Sequence, residues 1–226
     1  MAEATRTKRP IRETAFWRAY NGARYTILFY ALLLTLLILP SASTIGLPPM
    51  LVKSLVAICL FAAVMPSATK RTRLIIFCGV GLLVVARFGA DYGYFPLKAE
   101  ILLIVVGLTG LAAAASALRF VVSSRTVDRE TIYAALSTYL LAGMFFGQIY
   151  WSLEGIWPGS LVGPVPTTET ISVYYSFITL ATLGYGDFVP RTDIARGIAT
   201  FEVIGGQLYL AVLVARLIGA FAPAEK

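Results

Sequence analysis

The chain has 226 residues, 58% of them hydrophobic and 14% charged, a balance outside that of a soluble domain. Its formal charge of +7 does not point to nucleic acid, because the basic residues cluster between apolar runs, where they orient a chain in a bilayer. With no histidine, Ser-His-Asp and Cys-His catalysis and histidine-bound metal are excluded, and Cys59 and Cys78, both inside apolar runs, indicate no disulfide framework.

The composition predicts an all-α integral membrane protein that is not an enzyme. Residues 1–24 form a polar, basic amino-terminal segment carrying Arg6, Lys8, Arg9, Arg12, Arg18 and Arg24. They lead into a first span at Tyr25 to Leu39. Ser41-Ala42-Ser43 has the small residues of a signal-peptide cleavage site, but the segment is read as a retained span with a cytoplasmic basic foot. Phe16 and Trp17 suit a short lead-in lying on the membrane surface.

Further spans are predicted at Pro49 to Met65, Leu74 to Ala90 and Ala99 to Val122, each near the roughly 20 residues that cross a bilayer. Gly46, Pro48 and Pro49 break the first connection, and Tyr92, Tyr94 and Phe95 form an interfacial belt after the third span. Lys70, Arg71 and Arg73 mark the second connection as cytoplasmic, as Arg119, Arg125 and Arg129 mark the fourth. Residues 25–125 thus read as a four-span membrane domain. It matches a voltage sensor in number of spans alone. A sensor needs a basic residue at every third position of its fourth span. Counting in threes from Ile101 gives Ile104, Gly107, Gly110, Ala113 and Ser116 before Arg119, a stripe of small residues suited to helix packing. Lys53, Arg87, Asp91, Lys98 and Glu100 all fall toward the extracellular side, and Arg87 and Asp91 are one helical turn apart.

Residues 126–226 have a different organisation. A fifth span is predicted from Ile132 to Tyr150, with Trp151 as an anchor. Ser152 to Thr168 is a Gly- and Pro-rich turret holding Glu154 and no basic residue, as an extracellular loop should. Glu169 to Ala181 is too short to span, and reads as a re-entrant helix ending at mid-membrane, tolerable there only inside protein or water. A sixth span, Gly197 to Phe221, returns the chain to the cytoplasm. Both termini are therefore expected inside, at the plasma or inner membrane.

Between the re-entrant helix and the sixth span lies Thr182-Leu183-Gly184-Tyr185-Gly186-Asp187. Gly-Asp is common turn chemistry, and alone the motif reads as a surface turn. Its flanks give it a sharper meaning. Rings of backbone carbonyls can replace an ion's water without a charge that would trap it. Successive carbonyls face one axis only if the backbone alternates between right- and left-handed conformations, and glycine adopts the left-handed one cheaply. Gly184 and Gly186 fall where that alternation needs them. The carbonyls of Thr182, Leu183, Gly184 and Tyr185, with the Thr182 hydroxyl, would then line the path. The motif occurs once, so a closed ring requires four copies of the chain.

From about Ile132 to Phe221 the chain resembles the outer helix, pore helix, filter and inner helix of tetrameric potassium channels. The resemblance implies a homotetramer in membrane lipid that conducts potassium passively, with the ion as permeant ligand and no cofactor. It places bound potassium at Thr182, Leu183, Gly184 and Tyr185, and the outer mouth at Gly186 and Asp187. Tyr174 and Tyr175 match the aromatic pair that holds the filter's diameter, and Thr179 a pore-helix threonine of the same shell. Leu183 stands where the family usually has valine. Ile178 stands where some prokaryotic members carry a glutamate that pairs with the outer aspartate, so Asp187 needs another partner. The alternatives are a weakly selective monovalent cation channel and a potassium transporter subunit, although such transporters usually carry four pore loops in one chain.

Gly205-Gly206 interrupts the sixth span, where each interior glycine costs about 1 kcal/mol against alanine. The resemblance places Gly206 at the inner-helix glycine where many such channels bend; close packing against the pore helix is the competing role. Gln207 would then face the cavity, and Leu210, Val214 and Ile218 would run toward the cytoplasmic mouth. Voltage gating is not expected, which leaves the filter, lipid or a separate regulatory subunit as the source of control.

Overall fold

The computed structural model describes residues 15–46, 81, 85, 99–124 and 127–221. The predicted second and third spans lie outside the described residues, apart from Gly81 and Val85. Among the described residues, five continuous helices and a two-residue strand pair follow in order: α1 (Ala15–Ile45), α2 (Ala99–Ser123), α3 (Arg129–Ile156), β1 (Leu161–Val162), α4 (Glu169–Leu180), β2 (Val189–Pro190) and α5 (Asp193–Phe221). Among the described residues, four stretches are long and apolar enough to cross a membrane: Ala23–Ser41, Glu100–Ser123, Arg129–Ile156 and Asp193–Gly219. Helix α4, at 12 residues, is not, because 1.5 Å per residue carries it only about 18 Å.

Side-chain caps explain where the helices start. Asp128 accepts the Thr131 N–H at 2.8 Å and the Thr131 hydroxyl at 2.7 Å, which holds its carboxyl below the usual range and starts α3 ahead of the predicted Ile132. Thr192 accepts the Ala195 N–H at 3.3 Å, so α5 begins at Asp193 and not at Gly197. Thr168 accepts the Ile171 N–H and opens α4 at the predicted Glu169. Helix α3 also runs past Tyr150 to Ile156, taking the first part of the predicted turret into the helix.

Helix α1 is longer than the predicted first span and breaks at Ala23 (φ −133°, ψ 17°), which separates the lead-in from the apolar part. Helical N–H groups at such a restart lack intrahelical acceptors. Glu130 of α3 supplies one, accepting from the Tyr25 N–H at 2.9 Å and the Thr26 hydroxyl at 2.6 Å. The Tyr25 ring stacks on Phe120 of α2 at 5.0 Å, and the Arg24 guanidinium lies over both rings. Tyr25, Leu28 and Leu32 thereby join one core with Ala113 and Ala117 of α2 and with Leu141 and Phe145 of α3.

Between apolar helices in lipid there is little hydrophobic driving force, and close packing at small residues takes its place. A Cβ on Gly110 would lie 2.2 Å from the Phe145 ring, and one on Gly107 would lie 2.8 Å from Ile149. The small-residue stripe of the fourth predicted span is thus a docking face for α3. On its other side α3 receives α4 at Gly143, against Phe177, and at Gly147, where a Cβ would lie 2.6 Å from the Val173 Cα.

The turret is ordered by one carboxylate. Glu154 accepts the N–H groups of Gly159 and Leu161 at 2.8 and 3.1 Å, and Gly159 turns the chain at φ +84°. The chain then pairs antiparallel with the segment after the Thr182–Asp187 motif, Leu161 opposite Pro190 and Val162 opposite Val189. This ribbon ties the exit of the motif's loop to the segment that follows α3.

Candidate functional site

Helix α4 ends in a way that fixes the path of the motif. The Thr182 N–H reaches the Thr179 carbonyl at 2.9 Å and the Leu183 N–H reaches the Ile178 carbonyl at 2.8 Å. These are the two bonds of a Schellman closure, in which the residue after the cap is left-handed and is usually glycine. Here that residue is Thr182, at φ +57°. A β-branched residue in this region is an outlier, costing roughly 1–3 kcal/mol, and such strain concentrates at functional positions. Gly184 (φ +57°) and Gly186 (φ +75°) follow at intervals of two. The backbone therefore alternates in hand from Thr182 to Gly186, with threonine joining the two glycines picked out in the sequence.

At the outer end the Tyr174 hydroxyl donates to Asp187 Oδ2 at 2.8 Å, which raises the phenol above its ordinary range. Asp187 thus has a partner on α4, one turn before Ile178. Phe188 is buried and seats against Gly163 of the turret, where a Cβ would lie 2.3 Å from its ring. Tyr175 is also buried and meets Tyr150 of α3 edge to face at 4.9 Å. Thr179 lines a groove of about 560 Å³ with Tyr175, Ile178, Thr182 and, from α5, Val203 and Ile204.

The motif is exposed throughout within one chain, including its two large hydrophobic side chains: Leu183 is 55% exposed and Tyr185 66%. The same holds for α5, whose apolar window is 17% buried against 67% for α3. Gln207, Leu210, Val214 and Ile218 are all exposed. The two neighbouring glycines of α5 differ sharply. A Cβ on Gly205 meets nothing within 4 Å, whereas one on Gly206 would lie 2.8 Å from Leu180 Cδ1 and 2.9 Å from the Leu180 carbonyl oxygen.

One residue of this region escaped the sequence reading. Glu202 is 1% exposed, among α3, α4 and α5, and is met by the hydroxyls of Tyr150 and Ser176. A lone carboxyl in the middle of an apolar span was the available signal.

Loss of the Tyr174 bond should show at the end of the motif and not in the fold, because the ring is half exposed and the hydroxyl has one partner. Tyr174→Phe is expected to leave purified yield unchanged and to shorten sustained current a few-fold, measured against the wild-type chain in planar bilayers.

Comparison with known proteins bears on the same region. Residues 134–222, covering nearly all of α3 through α5, match the family model described as "Ion channel". A candidate potassium channel protein of Rhodopseudomonas palustris is 28% identical over 139 residues, which is 62% of this chain and 32% of that protein. The chain thus spans about a third of the length of the curated relative it matches. No solved structure matches. Together the two matches and the apolar helices support an ion channel of the membrane-embedded kind.

Proposed function

We propose that this chain is one subunit of a homotetrameric, potassium-selective channel, in which Thr182, Leu183, Gly184 and Tyr185 supply one quarter of each carbonyl ring. The observation that carries the reading is the alternation of hand at Thr182, Gly184 and Gly186, directly after a 12-residue helix held between two long apolar ones. Four copies are invoked because one chain has one motif, and because Leu183, Tyr185 and most of α5 need cover from outside the chain. In this reading α4 is the re-entrant pore helix, Tyr174, Tyr175 and Thr179 support the filter, and residues 126–226 form the pore domain.

A six-span topology fits the contacts. Glu130 at the start of α3 holds the start of the apolar part of α1, Tyr25 stacks on the end of α2, and Arg216 near the end of α5 donates to the Ser124 carbonyl just after α2. These four helix ends belong on one face of the membrane. The end of α1 and the start of α2 then share the opposite face, and the two further spans predicted between them meet that requirement. The basic residues of the amino-terminal segment assign the first face to the cytoplasm.

The test is bi-ionic reversal potential in bilayers containing the purified full chain. Strong preference for potassium over sodium is expected; equal permeability would leave the weakly selective cation channel. Open probability should change little with voltage in the same recordings. Each charge crossing the field supplies about 2.3 kcal/mol per 100 mV, and the stripe of α2 has none to move before Arg119.

A further inference from the structure

Glu202 stands near the middle of α5 with both carboxyl oxygens engaged. Tyr150 of α3 donates to Oε2 at 2.8 Å, and Ser176 of α4 is in hydrogen-bond contact with Oε1. The same Ser176 hydroxyl lies 2.7 Å from the carbonyl oxygen of Gly143 on α3. A hydroxyl has one proton to donate. If Glu202 were ionised, Oε1 and the Gly143 carbonyl would both be pure acceptors competing for it, and one buried oxygen pair would face each other with no proton between. A single proton on Oε1 completes the set: Oε1–H donates to Ser176 Oγ, Ser176 donates to the Gly143 carbonyl, and Tyr150 donates to Oε2.

The surroundings agree with that count. The titratable groups facing Glu202 are phenols, Tyr139 and Tyr150 from α3 and Tyr175 from α4. From α2 the adjoining cavity brings Leu111, Ala114, Ala115 and Leu118. No ion pair to Glu202 is found among the described residues. A carboxylate placed there would be desolvated and have no counter-charge, the arrangement that buried sites avoid.

We infer that Glu202 is held as a neutral carboxylic acid within the membrane, and that in this form it positions the pore helix by fastening α5 to Ser176 of α4 and Tyr150 of α3. Ser176 lies one turn before Thr179, whose carbonyl, with that of Ile178, closes α4 onto the motif. Moving Ser176 moves the entry to the filter. The protonation state rests on hydrogen-bond geometry, whereas the effect on conduction rests on the channel reading above.

The experiment is infrared difference spectroscopy of the full chain in lipid at neutral pH, paired with potassium flux into vesicles. The wild-type protein should show the carbonyl stretch of a protonated carboxylic acid that is missing in Glu202→Gln. That band should shift in both Tyr150→Phe and Ser176→Ala, which remains readable if the Gln variant does not fold. Gln retains a donor and an acceptor in the same shape, so Glu202→Gln should keep flux within about twofold of wild type. Glu202→Ala, which leaves the buried Tyr150 hydroxyl without its acceptor and cuts the tie of Ser176 to α5, should lower flux at least about tenfold. Absence of the band, or a band unmoved by Tyr150→Phe and Ser176→Ala, overturns the neutral acid. Unchanged flux in Glu202→Ala overturns the positioning role. A band present in a wild-type protein that carries no potassium flux would overturn the channel reading and leave the neutral acid standing.

Discussion

Gly184→Ala and Gly186→Ala are each expected to abolish potassium-selective current while leaving the single-chain fold intact. Both glycines are left-handed, at φ +57° and +75°, and a Cβ at either meets nothing within 4 Å of the same chain. The damage therefore comes from the backbone. An alanine held left-handed costs roughly 1–2 kcal/mol, and in the proposed tetramer four subunits incur that at one level of the carbonyl rings. The strain is relieved by rotating the peptide, which swings a carbonyl out of its ring. Helical content and purified yield should match wild type, and potassium flux with reversal potential should report the loss. Wild-type selectivity in both variants would remove the carbonyl-ring reading.

Gly206→Ala is expected to displace α4, whereas Gly205→Ala is tolerated. At Gly206 the added methyl meets the Leu180 side chain at 2.8 Å and its carbonyl oxygen at 2.9 Å, and a backbone atom cannot rotate aside. Overpacking of this kind costs about 1–3 kcal/mol per chain. It falls on the last turn of α4, just before the Schellman closure that aims the motif. A Cβ on Gly205 meets nothing within 4 Å of its own chain, and alanine there recovers about 1 kcal/mol of helix propensity. This geometry favours packing over the hinge as the reason for Gly206. The measurements are oligomer size in detergent and single-channel recording. Loss of assembly or of selective current in Gly206→Ala, with Gly205→Ala near wild type, is the expected pair. Reduced open probability at unchanged unitary conductance in both variants would restore the hinge.

The residues that sequence alone determined are those whose demands are local. Hydropathy over a bilayer's thickness delimits the apolar helices, and α4 starts at the predicted Glu169 because Thr168 is a good cap in front of an amphipathic run. Gly184 and Gly186 were legible because left-handed backbone is cheap for glycine wherever it occurs. Thr182 was not, since propensity argues against a left-handed threonine, and only the closure of α4 onto Leu183 imposes it. The remaining decisions join residues far apart in the chain: Glu130 to Tyr25 across 105 positions, Glu202 to Tyr150 across 52, Ser176 to Glu202 across 26. Gly205 and Gly206 are identical letters until Leu180 is packed against one of them. A carboxyl's state, a glycine's role and the partner of Asp187 depend on which groups tertiary contact brings within about 3 Å, and no local pattern encodes that.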